Sequence, residues 1–426
     1  MAENNKTNVR AIALETLIEI LEHGQFSHVY LKAVLDKYNY LAKNERAFLT
    51  RLVNGVVERK LQLDYIIDSF SKTKVKKMKP VIRSIMRMGA YEIFYMDSVP
   101  DSATCNEYVK LAKKKGFAGL SGFVNGVLRS ISRQKQTVTF KDISTKYSMP
   151  QWIIDKWTSD YGKNLTEDIL KGFLEPEDLC IRVNLGKISR DELKERLEGH
   201  GIKIRICDNI SSALYLSDFD SVNAIPEFKE GLFYVQDYSS QLVAYKAGIK
   251  ESDNVLDVCA APGGKALHAA EIAKGGQVLA RDLTDAKVSV IRENINRTGA
   301  SNIKAEKWDA TEFDENSKNK YDVVIADLPC SGLGIIRKKP DIKYNQTEES
   351  LDELVVLQKS ILDTVCEYVK QGGVLCFSTC TINKDENTNQ VENFLSSHSQ
   401  FKLISEEQLL PDNNHDGFYI CVMKKN

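Results

Sequence analysis

The sequence lacks several features that would assign it to common protein classes. It contains no run of about 18 apolar residues, the length that a membrane-spanning helix needs, and its polar N-terminus has no apolar segment typical of a signal peptide. Its nine cysteines are scattered without a C-x-x-C pair, which argues against a zinc ribbon and a disulfide framework. We therefore expect a cytoplasmic protein that binds neither a membrane nor a metal and keeps its thiols reduced.

The net charge is close to zero, but the two parts of the chain differ. Residues 1–140 contain 23 Lys and Arg against 13 Asp and Glu, a net charge of +10, and the remainder carries −11. At 426 residues the chain is too long for one hydrophobic core. These features predict several domains and two different partners, one for the basic part and one for the acidic part.

Residues 1–138 are predicted to form an all-helical domain. Apolar residues recur at helical spacing from Val9 to Leu21, with Gly24 as a stop, and Pro80 suits the first position of another helix.

A lysine run precedes Pro80, and two arginines, Arg83 and Arg87, follow it. The lysines are Lys72, Lys74, Lys76, Lys77 and Lys79. Such a run is most often a solvated surface. The basic charge of this part and the two arginines make contact with nucleic-acid phosphates an equal alternative.

The rest of the chain mixes strands and helices. Residues 139–235 are predicted to form a small, RRM-like α+β module with strands over 179–184 and 202–206 and a polar helix over 189–199. In residues 236–426, strand-like apolar runs at 254–258, 277–280, 322–326 and 373–377 alternate with helical stretches. This alternation is typical of βαβ units with a mostly parallel sheet, an α/β fold.

The strongest motif is a loop between a buried strand and a helix. It reads Cys259-Ala260-Ala261-Pro262-Gly263-Gly264-Lys265. Small residues in such a loop let a ligand approach the backbone closely, although a sharp strand-to-helix turn alone would have a similar composition. The G-x-G-x-x-G fingerprint of dinucleotide binding is missing, which argues against NAD as the ligand.

Four aspartates lie in or after the predicted strands: Asp257, Asp282, Asp309 and Asp327. Asp282 stands 19 residues beyond Gly263, where a carboxylate can accept both hydroxyls of a ribose. Each aspartate alone is more often a cap or turn residue, but the strand ends of a parallel sheet share one crevice. An acid-lined crevice repels a pyrophosphate and suits S-adenosylmethionine, which carries an ammonium and a sulfonium and no phosphate.

Two cysteines follow later strands, in the motifs Asp327-Leu328-Pro329-Cys330-Ser331-Gly332 and Ser378-Thr379-Cys380-Thr381. A cysteine is often only a small buried residue, which is our interpretation of Cys366 and Cys421. Carbon 5 of cytosine, however, needs a thiolate added at carbon 6 before it can attack a methyl donor. Two thiols fit such a cycle, one forming the adduct and the other assisting its breakdown, and Asp327 can stabilise charge developing on the ring. Chemistry alone leaves open which cysteine attacks.

Together these motifs resemble the RNA cytosine-5 methyltransferases of the NOL1/NOP2/Sun family, and the basic helical front resembles a NusB-like RNA-binding domain. The resemblance spans nearly the whole chain and implies a Rossmann-like class I methyltransferase fold for residues 236–426. It implies S-adenosylmethionine as the cofactor and a cytosine of 16S rRNA as the target, similar to members that modify cytosine 967. The implied partner is 16S rRNA or a small-subunit assembly intermediate, and we expect the enzyme to be a monomer.

The family also implies where the cofactor binds. The loop from Cys259 to Lys265 would surround its methionine part, with Asp282 on the ribose, Asp309 near the adenine, and Asp327 beside both the donor and the target base. This sequence departs from the family pattern at three positions, where Ala266, Leu328 and Trp308 replace the common Thr, Ala and Gly.

By the same resemblance, Cys380 would be the nucleophile and Cys330 would promote release of the product. Four residues lie in family-like segments without an assigned role: Arg182, Gln236, Asp237 and Asp416. Two other classes of function remain as alternatives, a catalytically silent RNA-binding assembly factor and a nucleotide-dependent oxidoreductase. The presence of both cysteines and Asp327 argues against the first, and the missing dinucleotide fingerprint argues against the second.

Overall fold

The computed structural model describes residues 8–176 and 178–426. The chain divides into two compact units. The first comprises Met1–Leu174 and Ile336–Asn345, and the second comprises Glu175–Ile335 and Gln346–Asn426. We expected three domains, with limits between residues 138 and 139 and between residues 235 and 236. These limits stay predictions, because the division into two units is coarser. Within the described part of the chain, no helix combines the length and the apolar character needed to cross a membrane.

The first unit is helical, which confirms the prediction for the N-terminal region. Its helices are Val9–Leu21 (α1), Ser27–Lys37 (α2), Lys43–Glu58 (α3), Lys60–Phe70 (α4), Pro80–Tyr95 (α5), Asp101–Lys114 (α6), Ser121–Gln134 (α7), Ile143–Tyr147 (α8), Gln151–Tyr161 (α9), Lys163–Gly172 (α10) and, from later in the chain, Ile342–Asn345 (α16). Helix α1 begins where the Asn8 side chain accepts the Ala11 N–H, and it ends before Gly24, which has a positive φ of 73°. Pro80 occupies the first turn of α5, where its missing N–H leaves no helical hydrogen bond unmade.

The lysine run before α5 lies at the surface, but the arginines of α5 do not extend it. The exposed lysines are Lys72, Lys74, Lys76, Lys77 and Lys79. Arg87 is buried and donates two hydrogen bonds of 2.7 Å to the Asp64 carboxylate, and Arg83 forms an ion pair with Glu22. Carboxylates of the same unit therefore already balance the charge of both arginines, and phosphate contact by the lysine run stays one of two open alternatives.

The second unit begins with a small antiparallel sheet in the order β2-β3-β1-β4. Its elements are Leu179–Val183 (β1), Arg190–Gly199 (α11), Lys203–Ile206 (β2), Ala213–Ser217 (β3), Pro226–Lys229 (α12) and Phe233–Val235 (β4). Leu193 and Leu197 of α11 belong to the same buried cluster as Val183 and Leu214, so the helix covers one face of the sheet. The predicted strands and the polar helix are confirmed, whereas β3 and β4 were not predicted.

The larger sheet of this unit has seven described strands in the order β10-β11-β9-β8-β5-β6-β7. Its elements are Tyr238–Lys246 (α13), Val255–Asp257 (β5), Gly264–Ile272 (α14), Val278–Asp282 (β6), Asp285–Thr298 (α15), Ile303–Lys307 (β7), Tyr321–Asp327 (β8), Glu348–Val365 (α17), Val369–Thr379 (β9), Thr388–Ser397 (α18), Phe401–Leu409 (β10) and Phe418–Lys425 (β11). Strands β5 to β9 pair in parallel, and β10 and β11 add antiparallel pairs. The four predicted apolar runs are confirmed as β5, β6, β8 and β9, whereas β7, β10 and β11 were not among the predicted runs.

The site follows from this topology. Strand β5 pairs with β6 on one side and with β8 on the other. The chain order therefore reverses at β5, and the loops that leave β5 and β8 diverge. Such a reversal opens a crevice beyond the carboxyl ends of the strands, where α/β proteins bind ligands.

Candidate active site

A cavity of about 270 Å³ lies at the carboxyl ends of the parallel strands. The predicted site residues that line it are Cys259, Ala261, Asp282, Asp309, Asp327, Cys330 and Cys380. A second cavity of about 160 Å³ is lined by Ala260, Pro262, Gly264 and Lys265, and it shares Asp327 with the first. The structure therefore brings the loop, the strand-end carboxylates and both motif cysteines together.

The loop from β5 to α14 is held against β6. Gly263 has a φ of 108° and precedes the helix, a conformation that favours glycine. The Ala261 N–H donates to the Asp282 carboxylate at 2.9 Å, and the Ala260 N–H donates to the Arg281 carbonyl at 2.8 Å. Backbone hydrogen bonds thus fix the path of the small residues that a ligand would approach.

Asp282 and Asp309 both line the larger cavity, and each already accepts local hydrogen bonds. Besides Ala261, Asp282 accepts the Leu283 N–H at 2.8 Å and lies 3.0 Å from the Lys287 ammonium. Asp309 accepts the N–H and the hydroxyl of Thr311 through one oxygen. These hydrogen bonds orient the two carboxylates, and their contact with a ribose or an adenine stays a prediction.

Trp308 also lines this cavity. Its ring N–H donates to the Glu312 carbonyl at 2.8 Å, and the Arg281 guanidinium lies 4.8 Å from its ring centre. The bulky side chain therefore does not remove Asp309 from the cavity, although glycine is usual at position 308 in the family.

Lys265 and Asp327 form a partly buried ion pair between the loop and the end of β8. The Lys265 Nζ lies 2.6 Å from Asp327 Oδ2, and the Ser378 hydroxyl donates to Asp327 Oδ1 at 2.8 Å. Burial opposes the charged form of Lys265, but the charge and hydrogen bond of Asp327 outweigh it and raise the pKa of Lys265. Sequence reasoning assigned Lys265 to the methionine part of the loop and did not foresee this pairing.

The two motif cysteines are in contact. Cys330 Sγ lies 3.2 Å from Cys380 Sγ. The hydrogen bond to Cys380, followed by burial, raises the pKa of Cys330 well above its ordinary value. The Lys265 ammonium interacts electrostatically with Cys380. Burial raises the pKa of Cys259, so the loop cysteine is poorly suited to act as a nucleophile.

The buried carboxyl group of Glu386 connects the loops that carry the two cysteines through hydrogen bonds. It accepts the Ser331 N–H at 2.7 Å, the Ser331 hydroxyl at 2.5 Å and the Asn383 amide at 3.0 Å. The Gln358 amide lies 3.3 Å from the same carboxyl and donates to the Pro329 carbonyl. Sequence reasoning missed Glu386 and Gln358, because neither lies in a recognisable motif.

The segment Asp416-Gly417 packs directly against the loop after Cys330. The Gly417 N–H donates to the Gly334 carbonyl at 2.8 Å, and the Gly334 N–H donates to the Cys380 carbonyl at 3.0 Å. A Cβ on Gly334 would lie 2.1 Å from the Gly417 carbonyl oxygen. Only a residue without a side chain fits here, so these glycines bring three loops together beneath the cysteines.

The side chains around the crevice fit a cofactor that carries positive charge. Asp257 is 1% exposed, and among the described residues neither of its oxygens has a well-formed hydrogen bond. Burial raises the pKa of Asp257 to about 7, although Lys265 opposes the rise. An ammonium group on a ligand would supply the missing partner, whereas a pyrophosphate would be repelled.

Comparison with known proteins gives three family matches along the chain. Residues 245–424 match the family described as 16S rRNA methyltransferase RsmB/F, residues 7–133 match the NusB family, and residues 149–223 match the ferredoxin-like domain of RsmF/B-like methyltransferases. Together with the sheets and helices described above, these matches confirm the predicted fold class.

Two solved structures share this fold. The crystal structure of PH0851 has a TM-score of 0.83 at 23% identity and covers 98% of this chain and 99% of that chain. The crystal structure of NSun6 from Pyrococcus horikoshii with SFG has a TM-score of 0.58 at 22% identity, covering 65% of this chain and 98% of that chain.

Curated relatives match over nearly their whole length. The probable ribosomal RNA small subunit methyltransferase B of Bacillus subtilis (strain 168) is 36% identical, with 99% of both chains covered. The ribosomal RNA small subunit methyltransferase B of Proteus mirabilis (strain HI4320) is 31% identical, with 98% of this chain and 99% of the relative covered. On this similarity, the chain belongs to the family of ribosomal RNA small subunit methyltransferase B.

Proposed function

We propose that this protein transfers a methyl group from S-adenosylmethionine to carbon 5 of a cytosine in 16S rRNA, with Cys380 as the covalent nucleophile. The observation that carries the proposal is the contact between Cys330 and Cys380, 3.2 Å apart, in the cavity that Asp327 also lines. A methyl transfer to oxygen or to an exocyclic nitrogen needs no pair of thiols. A transfer to carbon 5 of cytosine needs at least one.

Attack by Cys380 makes carbon 5 reactive. The thiolate forms a bond to carbon 6, and the electrons of the ring double bond become available at carbon 5, which then bonds to the methyl group. When bound, the cofactor would supply that methyl group in an electrophilic form, and S-adenosylhomocysteine would leave as its sulfur–methyl bond breaks. Asp327, fixed by Lys265 and Ser378, is the hydrogen-bonding group for the base.

Cys330 is the group that completes the cycle. Its pKa is raised first by the hydrogen bond to Cys380, and this contribution disappears once Cys380 is bonded to carbon 6. Cys330 then releases its proton to solvent and can accept the proton of carbon 5. The electrons of that carbon–hydrogen bond restore the ring double bond, while the bond from Cys380 to carbon 6 breaks and the thiolate returns.

The cofactor site proposed here uses the loop and the strand-end carboxylates. The small residues from Cys259 to Lys265 line its methionine part, where Asp257 receives the ammonium group, and Asp282 and Asp309 line the ribose and adenine end. The cavity of about 270 Å³, lined by Asp282 and Asp309, and the cavity of about 160 Å³, lined by Asp257 and the loop, support the assignment.

The proposed substrate is 16S rRNA or a small-subunit assembly intermediate, at the position equivalent to cytosine 967, and the enzyme acts as a monomer. The names of the curated relatives support the rRNA substrate. The target base must leave its stack to enter the cavity. In this proposal residues 1–138 form the RNA-binding domain, 139–235 the small module and 236–426 the catalytic domain.

The proposal is tested by methylating purified 16S rRNA and small-subunit particles with a labelled methyl donor, followed by nucleoside analysis. We expect label in 5-methylcytidine at a single cytosine, and loss of that modification in cells without the gene. Label in another nucleoside would refute the assignment to carbon 5. RNA binding without incorporation would favour the silent assembly factor. Stabilisation by NAD instead of S-adenosylhomocysteine in a thermal shift would favour the oxidoreductase.

A further inference from the structure

Arg182 is a buried cation at the end of the small module, and its side chain is 0% exposed. Its Nη1 donates to the Glu271 carboxylate at 2.6 Å, and its Nη2 lies 3.4 Å from the Gly264 carbonyl. Its guanidinium lies 4.1 Å from the centre of the Tyr234 ring. A fully desolvated guanidinium is costly to the fold unless its partners are well placed, so its location calls for a functional reason.

The partners of Arg182 lie on the helix that carries Lys265. Gly264 and Glu271 are seven residues apart on α14 (Gly264–Ile272), which places them two turns apart on one face. A group that holds both fixes the rotation of the helix about its axis. Lys265, one position after Gly264, therefore leaves the helix in a direction that depends on Arg182.

A series of hydrogen bonds also connects Arg182 to Lys265. Its Nε donates to the Gln236 side chain at 2.7 Å, and the Gln236 amide donates to the Ser240 carbonyl at 3.2 Å. The Ser240 hydroxyl in turn accepts a hydrogen bond from the Lys265 ammonium at 3.3 Å. Gln236 and Ser240 line the cavity of about 160 Å³ together with Lys265 and Asp327.

We infer that Arg182 is a positioning residue for methyl transfer: through α14 and through Gln236 it holds the Lys265 ammonium against Asp327 and near Cys380. This inference rests on the proposed function, since it assigns Arg182 to the same site. Arg182 touches none of the reacting groups. Displacing a positioned group by about 1 Å can lower a rate by roughly a hundredfold, so loss of Arg182 lowers kcat more than it weakens RNA binding.

Arg297 provides a matched control. It lies on α15, donates to the Phe228 carbonyl at 2.7 Å and to the Phe233 carbonyl at 3.1 Å, and stacks on the Phe228 ring at 4.0 Å. It therefore attaches the same small module to the larger sheet. Among the described residues its hydrogen bonds reach neither α14 nor Gln236.

The test measures kcat and KM for RNA, together with thermal stability, in full-length variants. We expect Arg182→Met to lower kcat by at least about tenfold with KM for RNA changed by less than about threefold, and Arg182→Lys to recover part of that activity. Arg297→Met should lower the melting temperature while keeping kcat within about twofold of the wild type. An unchanged kcat in Arg182→Met, or an equal decrease in Arg297→Met, would overturn the inference.

Two further measurements keep the test decisive. If Arg182→Met does not fold, Arg182→Lys and Glu271→Gln take its place, and wild-type kcat in both variants would overturn the inference. The alkylation rate of Cys380 at neutral pH, followed by mass spectrometry, needs no methyl transfer at all. It should fall in Arg182→Met and not in Arg297→Met, because only the former displaces the nearby ammonium. A base other than cytosine in the methylation assay would refute the proposed function alone, whereas equal alkylation rates would refute the role of Arg182 alone.

Discussion

Cys330 and Cys380 are 50 residues apart in sequence, and their sulfur atoms lie 3.2 Å apart in the structure. Strands β8 and β9 are parallel neighbours, so the loops that leave them end at the same edge of the sheet. Glu386 binds the Ser331 backbone beside Cys330 and the Asn383 side chain shortly after Cys380. The distance between the thiols is thus set by the sheet and by a buried carboxyl, and it is short enough for both thiols to act on one bound base.

The first prediction separates the two thiols. Cys380→Ala should abolish methyl transfer, because the proposal assigns the attack on carbon 6 to this thiol and not to Cys330. Cys330→Ala should form the bond to RNA but fail to release it, so that a protein–RNA adduct accumulates on a denaturing gel. Cys366→Ala is the control, since Cys366 is buried and donates to the Asp363 carbonyl; it should keep activity and form no adduct. An adduct formed by Cys380→Ala would reverse the assignment.

Much of this arrangement could be predicted because the parallel strands are short apolar runs followed by distinctive loops. Buried strands of an α/β sheet are apolar on both faces. Strands β5, β6, β8 and β9 could therefore be predicted from their apolar runs. Strand β10 is mostly exposed, with Lys402 and Ile404 at the surface. Its pattern resembles a polar loop, and only its pairing with β11 identifies it as a strand.

Interactions formed by tertiary packing could not be predicted in the same way. Nothing near Arg87 in the sequence indicates that it pairs with Asp64, 23 residues earlier. Glu386 and Arg182 are likewise single charged residues whose roles depend on partners far along the chain. A charge count gives the number of charged side chains in a segment. Which of them can contact RNA depends on the partners that the fold places beside them.

The second prediction concerns the lysine run. Replacing Lys72, Lys74, Lys76 and Lys77 by Gln should weaken RNA binding and flatten the dependence of log K on log salt by about 0.7 to 0.9 for each phosphate that the variant no longer neutralises. The exposed pair Lys402 and Lys424 on β10 and β11 is the control, and its replacement should leave the slope unchanged. If the wild type and the fourfold variant had equal slopes of log K against log salt, the lysine run would be solvated surface that does not contact RNA.

The arginines of α5 should behave differently from these lysines. Arg87→Gln leaves Asp64 without its partner, so it should lower the free energy of unfolding by on the order of 3 kcal/mol with little change in the salt dependence of RNA binding. Chemical denaturation and filter binding measure the two effects. If Arg87→Gln kept the stability of the wild type but showed a weaker salt dependence of RNA binding, Arg87 would be part of the RNA-binding surface.

The third prediction concerns pH. Burial raises the pKa of Asp257 from 3.8 to about 7, with Lys265 opposing the rise and Asp327 and Asp282 adding to it. The folded protein therefore holds a proton that the unfolded chain has released between about pH 4 and pH 7, and the stability from this group is lost as the pH rises through that window. Asp257→Asn should remove this component, on the order of 1 kcal/mol for each pH unit, and be the more stable protein at pH 8.

Binding experiments with Asp257→Asn test the cofactor assignment separately. A neutral amide cannot balance the ligand's ammonium group, so stabilisation by S-adenosylhomocysteine should fall even though the ligand-free variant is more stable. Thermal shifts at pH 5 and pH 8, with and without ligand, measure both effects. A variant that is less stable than the wild type at pH 8, or one that binds the ligand equally well, would contradict the interpretation of Asp257.

The fourth prediction follows from the short distance between Cys330 and Cys380. A disulfide needs its sulfurs at about 2.05 Å, so a small movement of either loop brings the two thiols to bonding distance. Hydrogen peroxide should oxidise the pair, taking one hydrogen from each thiol and forming two molecules of water, and a dithiol reductant should restore both thiols and methyl transfer together. Intact-mass analysis should show the loss of two hydrogens in the wild type and none in Cys330→Ala. Separate oxygen addition to each cysteine, without a cross-link, would show that the two loops cannot close the remaining distance.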